Sequence, residues 1–304
     1  MRTLKDIAAQ YAKKQPQQVD TLTEEAPILA RIPFIEASHD LWNLYEEVTH
    51  VTGAGFVDMN APLPTVDVGS SLQKVDLAIL GGEIEVPEDT ATLFGGHQKY
   101  FAKMMPKILR RSGMTAEHRI LYDNFRKYAI DEKNLIYAGG KEKELTSILA
   151  IRFVEGETSG LFSPKCFQKG DILNTTAINN GALYKSTSKN HSNVLVYGLR
   201  MKAYLGIQIA NRDTVSAIVN ISKDAVPTPT MIDDLLANVR AQPSNTILCM
   251  HEKMRTTLLR HKADSMYISA EQTDVNRYIT HWNGIPVITS YTFSLEEDEV
   301  SIQK

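Results

Sequence analysis

The chain has 304 residues, 43% of them apolar and 23% charged. That composition supports a substantial core and excludes wholesale disorder; the length fits two domains, or one with long excursions. The formal net charge of −3 and the pI near 6.3 exclude a uniformly basic nucleic-acid binder but leave room for a local basic patch. Two cysteines, Cys166 and Cys249, with no C-x-x-C pattern, are expected to be buried thiols in a reducing setting, not a zinc knuckle or redox pair. Neither a secretory h-region nor an apolar run of about 18 residues occurs, so no signal and no membrane span are expected.

In chain order, residues 2–14 predict an amphipathic helix capped by Thr3, with Leu4, Ile7, Ala8 and Tyr11 on one face and Gln15-Pro16-Gln17 ending it. Residues 17–40 carry Pro27 and Pro33 and little periodicity, and predict an extended arm that needs a surface to lie on. Strand-like segments at 44–51 and 72–86, the second interrupted at Gly81-Gly82, flank about twenty Gly/Pro-rich residues and predict a long protruding hairpin. Such a hairpin is not stable alone in water and must pack on a neighbour. A helix over 90–111 is expected to kink or break at Pro106, and a second, capped by Thr115, to run to Gly139-Gly140.

The remainder reads mostly as β. Segments 147–154 and 194–198 are strands, and 204–210 with 214–221 predict a hairpin turning at Asn211-Arg212-Asp213. Its second arm alternates, setting Val215, Ala217, Val219 and Ile221 on one face. Residues 231–240 predict a helix with Thr230 and Asp233 at its start and Ile232, Leu235, Leu236 and Val239 buried. A strand at 246–250, helices near 252–261 and 273–280, and a strand at 285–289 after the Asn283-Gly284 turn complete a unit over 223–292. The acidic run Glu296–Glu299 is expected to be a solvated surface.

Catalytic constellations are missing. There is no G-x-S-x-G elbow, and Gly139-Gly140-Lys141-Glu142 lacks the spacing of a phosphate loop. Gly53-Ala-Gly55 begins a dinucleotide turn, but Asp58 stands where the third glycine belongs. His251-Glu252 opens like a zinc-protease helix, but Arg255 occupies the second histidine's place. No catalytic, cofactor-binding or metal-ligating residue is assigned. The charge feature that stands out is a basic stretch: Lys99, Lys103, Lys107, Arg110, Arg111, Arg119, Arg126 and Lys127 against Glu117 and Asp123. Its two readings are a solvated helix face and a face that meets phosphate or a neighbour's acidic surface.

The order of segments, with VLVYGLRMKAYLGIQIANRDTVSAIVNIS at 194–222, TPTMIDDLLANV at 228–239 and HWNGIPVITSYTF at 281–293, resembles the major capsid proteins of tailed bacteriophages. The likeness is to a podovirus-type branch with the Hong Kong 97-like (Johnson) α+β fold. It implies an N-terminal arm at 1–40, an E-loop hairpin at 41–88 and a peripheral domain with a spine helix at 89–160. It further implies a connecting segment at 161–193 belonging to the axial domain, peripheral strands at 194–222, an axial domain at 223–292 and a C-terminal segment at 293–304. In many members the strands come last, so a permuted connectivity is an expectation here.

The resemblance also implies self-assembly into pentamers and hexamers that form an icosahedral head around double-stranded DNA, a virion location after assembly in the host cytoplasm, and portal, scaffold and decoration proteins as partners. Lys99, Lys103, Lys107, Arg110 and Arg111 would then face packaged DNA through non-specific contacts. The rival readings are a nucleic-acid-binding protein and an enzyme on an unfamiliar α+β fold.

Overall fold

The computed structural model describes residues 2–9, 15–59, 61–141, 144–163, 172–189, 191–265 and 280–301. Strand β1 (Arg2–Thr3) leads into helix α1 (Leu4–Ala8). The Thr3 hydroxyl accepts from the Asp6 amide and the Asp6 carboxylate accepts from the Thr3 amide, a reciprocal cap. This helix is shorter than its expected 2–14 span, and residues 10–14 lie outside the described set. The segment expected to be extended from residue 17 is instead helical as α2 (Gln15–Thr23), with Pro16 in the first turn, where a missing N–H costs nothing.

Strand β2 (Pro33–Glu36) follows. Val19 and Leu22 of α2, with Ala26, Ile28, Leu29 and Ile32 in the turn that leads to β2, are buried in the main core against Leu109, Ala116, Ile120 and Phe125. The N-terminal segment therefore has the surface it needs within its own chain. Its periodicity was illegible because its apolar residues are shared between one short helix and a turn.

Strands β3 (Trp42–Val51) and β4 (Val68–Asp76) form the predicted hairpin as a separate two-stranded sheet. The second arm breaks at Leu77 and not at Gly81-Gly82, which lie inside β5 (Ala78–Pro87). At Gly81 a Cβ would stand 2.8 Å from the Met201 carbonyl, so this glycine serves a close strand approach. Helix α3 (Glu88–Leu93) precedes α4 (His97–Arg119), which continues through a π-helical segment (Ile120–Arg126) into α5 (Lys127–Asp131).

The expected break at Pro106 does not occur. Helix α4 runs through it with Phe101 and Leu109 buried on either side, at the cost of one backbone hydrogen bond. Thr115 bonds back to the Arg111 carbonyl at 3.0 Å instead of capping a helix. The helical path ends at Asp131, ahead of Lys133 at φ 55°, and spans roughly 50 Å at 1.5 Å per residue.

Short strand β6 (Leu135–Tyr137), then β7 (Thr146–Arg152), β8 (Thr158–Phe162), β9 (Leu173–Ala177) and β10 (Tyr184–Lys185) lead to the 15-residue β11 (Leu195–Ile209). They are followed by β12 (Val215–Ile221), α6 (Pro229–Asn238), β13 (Thr246–Met250), α7 (Glu252–Ser265), β14 (His281–Trp282) and β15 (Ile285–Thr289). The helix expected near 273–280 falls largely outside the described residues.

Strand β11 organises a seven-stranded sheet, pairing antiparallel with β5, β8, β9 and β10, while β2 and β1 extend it beyond β8. A second sheet has the order β14-β15-β13-β7-β12-β6. Strands β11 and β12 thus lie in different sheets and form no hairpin. The turn at 211–214 carries the chain from one sheet to the other, with β11 pairing to β8 on one side of it and β12 to β7 on the other. The 223–292 elements are likewise completed by β6, β7 and β12 and do not form a unit alone.

One face of the six-stranded sheet, through Leu149, Ile151, Val215, Ala217, Val219 and Cys249, packs in the core that holds Leu121 and Phe125 of the π segment. The other face, through Ile148, Ile218, Ile221 and Leu248, packs on Ile232, Leu235 and Leu236 of α6 and Met254 of α7. Ile221 belongs to this second face, against the predicted alternation. A bulge between Ile218 and Ile221, with Asn220 at φ 57°, inverts the last residue of the strand. Helix α6 is capped by Thr228, whose hydroxyl accepts from the Met231 amide. Asp233 has another role: its carboxylate accepts from Trp282 Nε1 and Asn283 Nδ2, both at 2.8 Å, tying α6 to the β14–β15 turn.

Glu117 joins the helix to both ends of the chain. It is fully buried, and its carboxylate accepts from the Ile28 and Leu29 amides at 2.8 and 2.9 Å, from the Thr292 hydroxyl at 2.6 Å and from the Ser290 hydroxyl. Burial raises its pKa above the ordinary carboxylate value, and the four donors work against that shift without cancelling it. Glu117→Gln turns one acceptor into a donor facing donors and is expected to cost about 1–3 kcal/mol in urea unfolding. Because the folded-state pKa is raised, the stabilisation linked to the proton is complete in acid and declines as pH rises through the folded value. The wild type's advantage over the variant should therefore narrow with rising pH; a constant gap from pH 4 to 8 would contradict this assignment.

Candidate assembly surfaces

The hairpin stands away from the body with its apolar side chains uncovered. Its register runs from Trp42 opposite Asp76 to Val51 opposite Val68, with a bulge between Val48 and His50. The Thr52 amide donates to the Asp67 carbonyl at 2.8 Å and closes the ladder; beyond it the tip has no regular structure. On the tip, Phe56 is fully exposed, Met59 is 93% and Leu63 81% exposed, and Val66, Val68 and Leu72 continue the apolar surface along the second strand. Apolar exposure of this extent marks a contact surface. No Lys or Arg lies between residues 51 and 73, while Asp58 and Asp67 do. At the root, His39 stacks on Trp42 at 3.5 Å, and Lys74 sits 5.3 Å from the Trp42 ring and 2.9 Å from Asp76.

A second surface lies along α3 and the first half of α4. Leu93 and Phe94 are exposed, and Phe94 meets Tyr100 edge to face. Lys99, Lys103, Lys107 and Arg111 are exposed at four-residue spacing and form one winding stripe about 18 Å long. Lys103 lies 5.3 Å from the Phe94 ring. Arg110 points elsewhere: its Nε and a terminal nitrogen donate to Glu24 at 2.6 and 3.1 Å, holding α4 to the N-terminal segment. Arg119 pairs with Asp123 one turn on.

Arg126 is 3.0 Å from Glu297, whose buried carboxylate also accepts from the Tyr122 hydroxyl at 2.5 Å and from Ser147. Glu297 is thus turned inward, correcting the solvated reading of 296–299, whereas Glu296, Asp298 and Glu299 remain exposed. Burial, reinforced by Glu297, pushes the Tyr122 phenol well above its ordinary range and keeps it a donor.

Groups able to do chemistry are engaged structurally. Cys249 is fully buried, and burial raises its thiol pKa well above the ordinary value, so it is no nucleophile; Cys166 lies outside the described residues. His251 Nδ1 accepts from the Lys253 amide at 2.9 Å, and Glu252 pairs with Arg255, the residue that breaks the zinc-protease pattern. Glu85 borders a cavity of about 330 Å³ and accepts from Tyr184, Ser186 and Ser188 at 2.9, 2.6 and 2.7 Å. Burial opposes its ionisation, but the three hydroxyls outweigh that and hold its carboxyl below the ordinary range. Among the described residues no group of three or more His, Cys, Asp and Glu could hold a metal ion, and no helix is long and apolar enough to cross a membrane.

No protein-family model and no curated protein matches this chain. Solved structures do. A chain of the bacteriophage epsilon15 structure aligns at 11% identity over 85% of this chain and 84% of that one, with a TM-score of 0.58. The bacteriophage JBD30 capsid aligns at 11% identity over 89% and 92%, with a TM-score of 0.52. The chain has the Hong Kong 97-like capsid fold.

The fold divides the five basic residues that the sequence groups together. Lys99, Lys103, Lys107 and Arg111 share one exposed stripe, while Arg110 is drawn to Glu24. The exposed pair Leu93 and Phe94 beside that stripe was not singled out from sequence; an apolar pair directly before Gly95-Gly96, between two helices, was the available signal. Because the hairpin tip contributes nothing to the folded body, Phe56→Ser, Met59→Ser and Leu63→Ser together are expected to change the unfolding free energy by less than about 0.5 kcal/mol. A large fall in the thermal midpoint of the unassembled chain would place these side chains in its own core.

Proposed function

We propose that the chain is the major capsid protein of a tailed bacteriophage, a structural subunit that assembles with copies of itself into pentamers and hexamers of an icosahedral head enclosing double-stranded DNA. The observation that carries this reading is the capsid fold itself, aligned over most of this chain and of the phage chains it resembles. The hairpin supports it independently: an apolar tip with no partner in its own chain suits a contact made by another copy.

In this reading the β3–β4 hairpin is the E-loop. The path from His97 to Asp131 is the spine helix, which with the β11 sheet forms the peripheral domain. The six-stranded sheet with α6 and α7 is the axial domain around the capsomer centre. Portal, scaffold and decoration proteins would be the partners of the assembled head.

Electron microscopy of the purified full-length chain tests the proposal. Closed shells, tubes or capsomer rings are expected, and deletion of residues 53–69 is expected to leave a soluble, folded subunit that does not form them. Normal shells from the deletion, or a dispersed monomer under every assembly condition for the intact chain, would overturn it.

The basic stripe adds a second element: Lys99, Lys103, Lys107 and Arg111 would face the packaged DNA. Contacts with phosphate release counterions, so they are independent of sequence and weakened by salt, as suits a container for any genome. Replacing Lys103, Lys107 and Arg111 with glutamine is expected to leave shell assembly intact and to lower the salt concentration at which DNA is lost from filled heads. Failure of assembly itself would instead assign the stripe to a subunit interface.

A further inference from the structure

The root of the hairpin holds a buried relay of amides that neither the fold nor the proposed function requires as such. Asn43 in β3 and Gln208 in β11 are both buried, 165 positions apart. The Ser38 amide donates to Asn43 Oδ1 at 2.8 Å, Asn43 Nδ2 donates to Gln208 Oε1 at 2.7 Å, and Gln208 Nε2 donates to the Gly156 carbonyl at 2.5 Å. Both ends are backbone groups, one able only to donate and the other only to accept. The orientation of each side-chain amide between them is therefore determined. Turning either one over would set like against like in a buried site and leave groups unsatisfied.

The relay ends at a structural junction. Gly156, at φ +84°, lies in the turn between β7 and β8. The next residue, Glu157, accepts from Asn211 Nδ2 at 2.9 Å, at the corner where the chain passes from one sheet to the other. The hairpin is thus referenced to the point where the two sheets meet.

A cavity of about 190 Å³ separates Glu46, Val48, His50 and Val51 on the hairpin's underside from Glu157 and Asn211 on the body. An apolar contact at the root joins Leu77, Ala37 and Leu161. Apolar contact is non-directional and tolerates rotation, whereas a chain of three oriented hydrogen bonds does not.

We propose that the Ser38–Asn43–Gln208–Gly156 relay is a positioning device that sets the elevation of the β3–β4 hairpin over the body, and that through it the chain selects the geometry of the shell it builds. The second half rests on the capsid reading; the first does not. The test is pulsed electron spin resonance on the unassembled full chain, labelled at Thr65→Cys on the tip and Asp224→Cys on the body in a Cys166→Ser background.

The parent should give one narrow distance distribution. Asn43→Asp removes the donor to Gln208, and Gln208→Glu removes the donor to Gly156; each is expected to widen the distribution to about twice the parental width or more, as a second hairpin position becomes populated. Leu161→Ala, which weakens the apolar root and lowers the thermal midpoint, should leave the width unchanged. Parental widths in both relay variants, or equal widening in Leu161→Ala, would overturn the positioning role. In micrographs the relay variants should assemble into shells of mixed diameter, and shells of parental diameter would overturn the link to shell geometry. If the parent forms no shells, the capsid reading fails while the distance measurement still decides the relay.

Discussion

A carboxylate taken out of water is stable only where several donors converge on it, and the Glu117 site supplies four from segments near the two ends of the chain. None of these segments can be absent when the site closes, since any missing donor would leave a buried charge short of partners. The turn at 28–29, the midpoint of the long helix and the turn after β15 therefore come together as one cooperative unit. One turn earlier, a Cβ at Gly113 would stand 1.8 Å from the Leu22 carbonyl, so only glycine lets α2 approach closely enough for the following turn to deliver the Ile28 and Leu29 amides. The helix position so defined sets the surface on which the main core assembles.

A second buried cluster repeats the device further along the helix. The π-helical segment brings Tyr122 and Arg126 to Glu297 and Ser147, fastening the C-terminal segment to the six-stranded sheet. The two clusters close the body at both ends of the chain without help from another molecule. What the body leaves open is concentrated in the hairpin, the Leu93–Phe94 corner and the cationic stripe. Under the proposed capsid reading, such a division would let the chain fold before assembly, because the exposed surfaces carry little of its own stability.

Much of the fold was legible in the sequence where the physics is local. The first hairpin strand, β13, β15 and the buried stripe of α6 follow from period-2 and period-3.6 patterns bounded by Gly, Pro and Asn-Gly signals, and the structure places them as those patterns predict, while the second hairpin arm is divided between β4 and β5. Segment order carried the resemblance to the capsid fold, and composition with motif spacing gave no catalytic site to set against it. The basic composition of 99–111 was readable in the same way, but the separation of Arg110, drawn to Glu24, from Lys99, Lys103, Lys107 and Arg111 was not.

Tertiary structure decided whatever depends on a partner distant in sequence. Pro106 stays inside a helix with Phe101 and Leu109 buried around it, and 15–23 is helical because a distant helix offers its apolar residues a surface. Val215 begins a strand of another sheet because β7 is its neighbour, and one bulge at Asn220 moves Ile221 to the opposite core. Among the acidic residues at 296–299, only packing against Tyr122 and Arg126 distinguishes Glu297 from the exposed three. Sequence by itself determined the elements and the composition of their faces, because both arise from neighbours within a few residues. It could not determine which faces meet, because that choice is made by burial and hydrogen bonding between residues far apart in the chain.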